Sequence, residues 1–449
     1  MSLHFATALL PEGWATHVRV VVSQGRVATL ERDVPAAAGD ERIGVALPGM
    51  CNVHSHGFQR GMAGLTEYRG PAADNFWSWR ELMYRFVARM TPEDIEAITA
   101  QAYVEMLEGG FTRVGEFHYV HHDAAGIPYA DPAETAARVV AAANETGIAL
   151  TLLPVFYAHS GFGGAAPTEG QRRFVSDVDG FERLLTASRK SASGDIVVGV
   201  APHSLRAVTP RELSQVVAMA GAGPIHIHAA EQGEEVSQCV AWSGARPVEW
   251  LLQNAQVDER WCLIHSTHLD DREVAGLARS GAVAGLCPIT EANLGDGIFP
   301  ATKYSAARGA FGIGTDSNVS ISVADELRQL EYSQRLRDRA RNLAGDTQTQ
   351  STGRALFDAA VRGGAQALGA VSGIAVGAAA DFVSLDTESP AFAGRSGDAL
   401  LDSFVFAAGK AGIDGVWRGG RRVVTAGRHH SRERVAAKYR ASLARLLAS

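Results

Sequence analysis

Strand-like and helix-like runs alternate between residues 48 and 372, and this alternation restricts the architecture more than any other feature of the chain. Strands are expected at 48–55, 112–118, 148–156, 195–202, 224–229, 261–266, 281–286 and 310–316. Several are short apolar runs, such as Ile196-Val-Val-Gly-Val-Ala201 and Gly281-Ala-Val-Ala-Gly-Leu286. That is the pattern of parallel strands covered on both faces. Helix signals lie between them. Thr91-Pro92-Glu93-Asp94 supplies an N-cap, a proline at the first helical position and acids in the first turn. Ile95, Ile98, Ala102 and Met106 then recur at helical spacing. Eight strands with intervening helices predict a (β/α)8 TIM-type barrel over 48–372. The alternative is an open doubly wound sheet, but no GxGxxG follows the first strand.

The two chain ends read differently. Val18-Arg-Val-Val-Val22 and Val27-Ala-Thr-Leu30 flank Gln24-Gly25, a hairpin signal. Strand-like runs return at Asp381-Phe-Val-Ser-Leu385 and around the Gly419-Gly420 turn of Val416–Val424. Segments 1–47 and 373–449 are therefore expected to build one small β-sandwich domain, since termini often lie close together. The last segment also carries an amphipathic helix with Val435, Tyr439, Leu443 and Leu446 on one face, expected to pack on the body.

Composition excludes several classes of function. A net charge of -7 speaks against nucleic acid or an anionic membrane as partner. Four scattered cysteines without CxxC spacing do not form a disulfide framework and suit a reducing cytoplasm. Neither a secretory signal nor a run of about 18 apolar residues is read.

Eleven of the fifteen histidines fall between positions 54 and 268, several at the ends of expected strands. His54 and His56 are two apart on the first strand, so their side chains share a face and can reach one point. His203 follows strand four, His226 and His228 end strand five, His265 ends strand six and Asp316 ends strand eight. In a barrel the carboxyl ends of all strands meet on one face, where active sites are built. His54, His56, His228 and Asp316 are the expected ligands of a catalytic divalent metal that keeps one position open for water. His226, deeper in its strand, reads as core or support. His118, His121, His122 and His268 read as loop or supporting residues.

Pro48-Gly-Met-Cys-Asn-Val-His-Ser-His56, His228-Ala-Ala-Glu231, His265 and Thr315-Asp316-Ser-Asn318 resemble the amidohydrolase superfamily, in its branch of deaminases and chlorohydrolases. The resemblance spans nearly the whole chain. Two-metal members carry a lysine or glutamate at the end of strand four; here Ala201-Pro-His203 stands there, which implies one ion, zinc or alternatively iron. The resemblance further implies that His265 contacts the metal-held water, that Glu231 faces the leaving nitrogen, and that Asp316 accepts the proton from water.

More locally, His56-Gly-Phe-Gln59-Arg-Gly-Met62, Asn75-Phe-Trp-Ser-Trp-Arg80, Gly115-Glu-Phe-His-Tyr119 and Pro202-His203-Ser-Leu-Arg206 resemble the N-formimino-L-glutamate deiminases of histidine degradation. That likeness implies hydrolysis of a formimino group to formyl with release of ammonia, in a homodimer. A dicarboxylate substrate calls for arginines, whose forked guanidinium matches a carboxylate. Arg80 and Arg206 are available for this, and Gln59, Tyr119 and His203 could add hydrogen bonds. Two other readings share the motifs: a deaminase or chlorohydrolase acting on a purine, pterin or triazine ring, and a non-catalytic scaffold of the same fold.

Overall fold

The structure is a computed structural model that describes residues 1–68, 74–345, 347–371 and 373–448. Eight strand positions form a parallel barrel: Met50–Ser55, Phe111–His118, Ala149–Phe156, a fourth in two pieces (Val197–Val198 and Ala201–Pro202), Ile225–Ala229, Trp261–His265, Val283–Leu286 and Ala310–Ile313. Each pairs in parallel with the next. The ring closes where Ile313 meets Asn52 and where single bridges join Val200 to Ile225 and Ser204 to His228. The second, third, fifth, sixth and seventh strands are buried along their whole length, as near-continuous apolar runs require.

The fourth strand is shorter than the expected 195–202 and is interrupted. Gly199 sits where any Cβ would run into the carbonyl of Pro224, so the chain passes very close to the start of the fifth strand. Asp195 lies outside the barrel ladder, its carboxylate held by Arg418, 2.8 Å away, from the C-terminal part of the chain.

The expected sandwich of the chain ends takes the form of one hydrogen-bonded sheet of eight strands. Its spatial order is Arg428–His429, Arg421–Thr425, Ile413–Arg418, Phe382–Leu385, Glu41–Pro48, Ser2–Leu10, Gly13–Ser23, Arg26–Glu31. N- and C-terminal segments join at Glu41–Pro48, which runs antiparallel to Phe382–Leu385. This sheet has its own core, in which Phe5 meets Phe382 edge-on at 5.3 Å beside Val18, Val20, Ile43 and Trp417. Among the described residues no helix is long and apolar enough to cross a membrane.

The C-terminal helix, Arg432–Leu447, buries Val435 and Leu446 as its periodicity demands. It docks on the barrel rather than on the terminal sheet. Arg432 and Arg445 reach Glu108 and Asp94 of the barrel helix Pro92–Glu108, and the Tyr439 hydroxyl donates to the Arg60 carbonyl at 3.3 Å. Another helix, Thr352–Ala367, runs against the first and eighth barrel strands. It does so through Gly363 and Gly364, where a Cβ would strike the Phe311 backbone or come 3.1 Å from the Cys51 Cβ.

Gly363→Ala is therefore expected to destabilise the protein by about 1–3 kcal/mol or more, because backbone rather than a flexible side chain must move. Chemical denaturation reads this directly, and an unchanged midpoint would show that the helix can shift at little cost.

Candidate metal centre and active site

The ligating atoms of His54, His56 and His228 all lie within 4.8 Å of one another at the carboxyl end of the barrel. His54 Nε2 and His56 Nε2 each stand 3.3 Å from Asp316 Oδ1, and His228 Nε2 lies 3.1 Å from His54 Nε2. The tautomers are set from behind. His56 donates its Nδ1–H to the Phe117 carbonyl at 2.9 Å, and His228 donates its Nδ1–H to the His203 carbonyl at 3.0 Å. Each therefore turns an Nε2 lone pair inward. Burial lowers the basicity of all three rings, that of His54 to about 3, so they stay neutral. Converging lone pairs and a carboxylate repel one another unless a cation sits among them, and this donor set fits one divalent ion.

The first and eighth strands are fastened to each other beneath these donors. Asn52 Nδ2 donates to Thr315 Oγ1 at 2.7 Å, Thr315 Oγ1 donates to Asn318 Oδ1 at 2.6 Å, and the Thr315 N–H returns to Asn52 Oδ1 at 3.1 Å. Asn318 Nδ2 also donates to the His56 carbonyl at 3.1 Å. Ala230, His265 and Asp316 adopt positive φ values of 53°, 67° and 44° where three strands end. Such backbone is uncommon for residues other than glycine and is found where surrounding structure overrides the local cost.

Beside the donors lies a second group. Glu231 Oε1 is 3.6 Å from His265 Nε2, whose Nδ1 is 3.3 Å from Glu291 Oε1. Burial pushes Glu231 up to about 7, against the pull of the His265 and Arg206 charges. Burial would lower His265, but Glu231, Glu291 and Asp316 lift it to about 10. Arg206 faces Glu231 at 3.8 Å and Glu235 at 4.0 Å, and Glu235 is itself fixed by the N–H groups of Ala230 and Glu231.

A cleft opens over both groups. Gln59, Arg80, Tyr119, His203 and Arg206 line it together with His56, His228, Glu231, His265 and Asp316, while His54 lies buried beneath. Gln59 Nε2 donates to the Tyr119 hydroxyl at 2.9 Å, leaving its buried Oε1 without a partner. Phe76, Tyr84, Tyr157 and Phe174 supply aromatic walls. His226 bonds the Ala367 carbonyl at 2.8 Å, and His118, His121, His122 and His268 bond Thr135 or backbone carbonyls, all outside the cleft.

Residues 45–423 match the amidohydrolase family model. The chain belongs to the amidohydrolase family. A second model, the N-terminal domain of formimidoylglutamate deiminase HutF, matches residues 1–44. The chain is similar to formimidoylglutamate deiminase of Pseudomonas aeruginosa, at 54% identity with 100% of both chains covered. It is 31% identical to a 5-methylthioadenosine/S-adenosylhomocysteine deaminase of Natronomonas pharaonis, over 79% of this chain and 77% of that one. Among solved structures it resembles an amidohydrolase from Brucella melitensis, with 55% identity, TM-score 0.96 and 99% of both chains covered. A zinc-bound adenosine deaminase from Xanthomonas campestris shares the fold at 22% identity, with TM-score 0.80 over 100% of this chain and 98% of that one.

Sequence reasoning passed over several members of this amidohydrolase site. Glu291, Glu235 and Asp296 are buried acids around Glu231 and His265. Glu235 and Glu291 stand in the first turns of helices, where an acid reads as a dipole partner. The signal that could have found Glu291 is its place just after the seventh strand, at the face where the other strand ends converge.

His228→Ala is expected to weaken binding of the divalent ion by more than the roughly 10–100-fold that loss of an outer partner costs. Glu231→Gln is expected to keep the full complement. Elemental analysis of the purified proteins distinguishes them, and equal metal content would contradict the division between ligand and neighbour.

Proposed function

We infer that the protein hydrolyses N-formimino-L-glutamate to N-formyl-L-glutamate and ammonia, as a metal-dependent hydrolase with one divalent ion. The observation that carries this reading is that Arg80 and Arg206 line the same cleft as the metal donors, Glu231 and His265. A formamidine-like head meets the acid side of the cleft, and two carboxylates meet the guanidinium side. His54, His56, His228 and Asp316 would hold the ion, and their neutral imidazole and carboxylate donors favour zinc, with iron as the alternative. Bound there, such an ion acidifies a water and polarises the formimino group.

The residues of the chain do the rest. As the C–O bond forms at the formimino carbon, Asp316 takes the proton released from water. His265, whose Nδ1 lies 3.3 Å from Glu291, donates a hydrogen bond at the reacting centre. Glu231 passes its proton to the imino nitrogen, and the proton held by Asp316 then moves to the same nitrogen. The C–N bond breaks to release ammonia while the hydroxyl proton passes to the Glu231 carboxylate as the formyl C=O forms. Gln59, Tyr119 and His203 orient the chain of the substrate between these groups and the arginines. A homodimer in the reducing cytoplasm accompanies this reading, and Cys51, Cys239, Cys262 and Cys287 are all buried and unpaired.

The direct test is ammonia release from N-formimino-L-glutamate, with and without a chelator, beside a panel of purine, pterin and triazine substrates. Turnover of a ring substrate in preference to the dicarboxylate would overturn the reading. Arg206→Ala is expected to raise KM on the order of 10–100-fold, the worth of a charged hydrogen bond pair. Glu231→Gln is expected to lower kcat by about 10²–10⁴-fold. Because Glu231 must be protonated to donate, kcat is expected to fall as pH rises through about 7. A kcat flat from pH 6 to 9, all values on the order of the wild-type maximum, would remove Glu231 from the donor role.

A further inference from the structure

The helix Phe76–Val87 begins at Asn75, whose side chain accepts the N–H groups of Trp77 and Ser78. Residues three and four apart then share a face, which aligns Trp77, Arg80 and Tyr84. The Arg80 guanidinium carbon lies 4.6 Å from the Trp77 ring centre and 5.6 Å from that of Tyr84. Arg206, from the loop after the fourth barrel strand, brings its guanidinium carbon to 5.9 Å from the same Trp77 ring. Two cations of distant sequence origin thus meet one indole. Among the described residues Arg80 forms no ion pair, and the buried Nε atoms of Arg80 and Arg206 lack hydrogen-bond partners.

We propose that Trp77 is a positioning residue that makes Arg80 and Arg206 a single reader of two carboxylates, and so sets a preference for dicarboxylate over monocarboxylate substrates. This rests on the functional reading above. Contact with an aromatic face occupies the flat side of a guanidinium and leaves its N–H edge available to a carboxylate. The electron-rich ring also offsets the repulsion between two like charges that share a cleft before substrate arrives. Arginine otherwise has many rotamers, and ordering both side chains on binding would cost affinity. The one indole that both guanidinium groups approach supplies that order in advance. Tyr84 brings a second ring of the same helix to 5.6 Å from the Arg80 guanidinium carbon.

The test compares wild type, Trp77→Leu and Trp77→Phe on N-formimino-L-glutamate and on N-formimino-4-aminobutyrate, which lacks the α-carboxylate. Trp77→Leu is expected to raise KM for the dicarboxylate on the order of tenfold while kcat changes less than about threefold. Trp77→Phe, which keeps an aromatic face, is expected to recover most of the loss. For the monocarboxylate the KM penalty of Trp77→Leu should shrink to about threefold or less. Equal penalties on both substrates, a loss confined to kcat, or a phenylalanine variant as impaired as leucine would each overturn the proposal. Failure of the wild type to turn over N-formimino-L-glutamate would overturn the functional reading itself, and that control is read before either variant.

Discussion

The seam between the first and eighth barrel strands is the constraint on which the site depends. Backbone pairing there is short: Ile313 stands opposite Asn52, and a single bridge joins Ser55 to Asp316. Side-chain bonds among Asn52, Thr315 and Asn318 take over where the ladder stops. Asp316 and His54 lie at this seam: the Asp316 N–H donates to the His54 carbonyl at 2.9 Å, and the Asp316 carbonyl accepts from the His56 N–H at 2.9 Å. Two segments more than two hundred residues apart are thereby locked so that imidazole and carboxylate face each other. A buried amide network of this kind is costly when partly satisfied and rigid when complete. Here each amide has found its partners, and the positive φ of Asp316 is the local strain that this rigidity sustains.

The charge distribution follows from that geometry. Glu231, Glu235, Glu291, Asp296 and Asp316 are all buried at one end of the barrel, with His265 and Arg206 as buried cationic neighbours. Burial lifts Asp296 to about 9 and Glu231 to about 7, so part of the surplus negative charge is removed by protons. A divalent ion among His54, His56, His228 and Asp316 would balance much of the remainder. Metal affinity and the proton affinity of Glu231 are therefore linked through the same buried carboxylates. Changing Glu291 or Asp296 would act on the reaction without touching the substrate.

How much of this was legible in the sequence follows from the range over which each feature is encoded. The barrel could be read because every strand is a local apolar run, and the convergence of His54 with His56 because the two obey a two-residue period at a strand end. Convergence of strand ends then brought His228 and Asp316 to the same place. The break at Gly199 was not legible, since Ile196–Pro202 reads as one continuous run and only the neighbouring Pro224 backbone forces the interruption. The face of the C-terminal helix was readable from Val435 and Leu446, but its seat on Pro92–Glu108 is decided by Arg432, Arg445 and their distant acids. Glu291 stayed hidden because its bond to His265 is tertiary, whereas its local role in a helix first turn is commonplace. Trp77 stayed hidden likewise: its spacing to Arg80 is visible in the sequence, its contact with Arg206 is not.

The choice of substrate rests on the half of the cleft that lies away from the metal donors. Its walls, Phe76, Tyr84, Tyr157 and Phe174, could stack on a planar heterocycle as well as line a flexible chain. Shape and apolar contact therefore do not separate a ring from a dicarboxylate. The arginines do. A neutral ring in this cleft would cover Arg80 and offer it no carboxylate, leaving a charged donor desolvated and without an ion pair among the described residues at a cost of several kcal/mol, whereas Arg206 keeps Glu231 and Glu235. On the proposed reading, a substrate with two carboxylates would pair both arginines and bring its formimino head toward Glu231. Selectivity of this kind comes from the penalty on the wrong ligand as much as from attraction to the right one. It requires that both guanidinium groups stay in the cleft before the substrate enters, where their carbons lie 4.6 Å and 5.9 Å from the Trp77 ring centre.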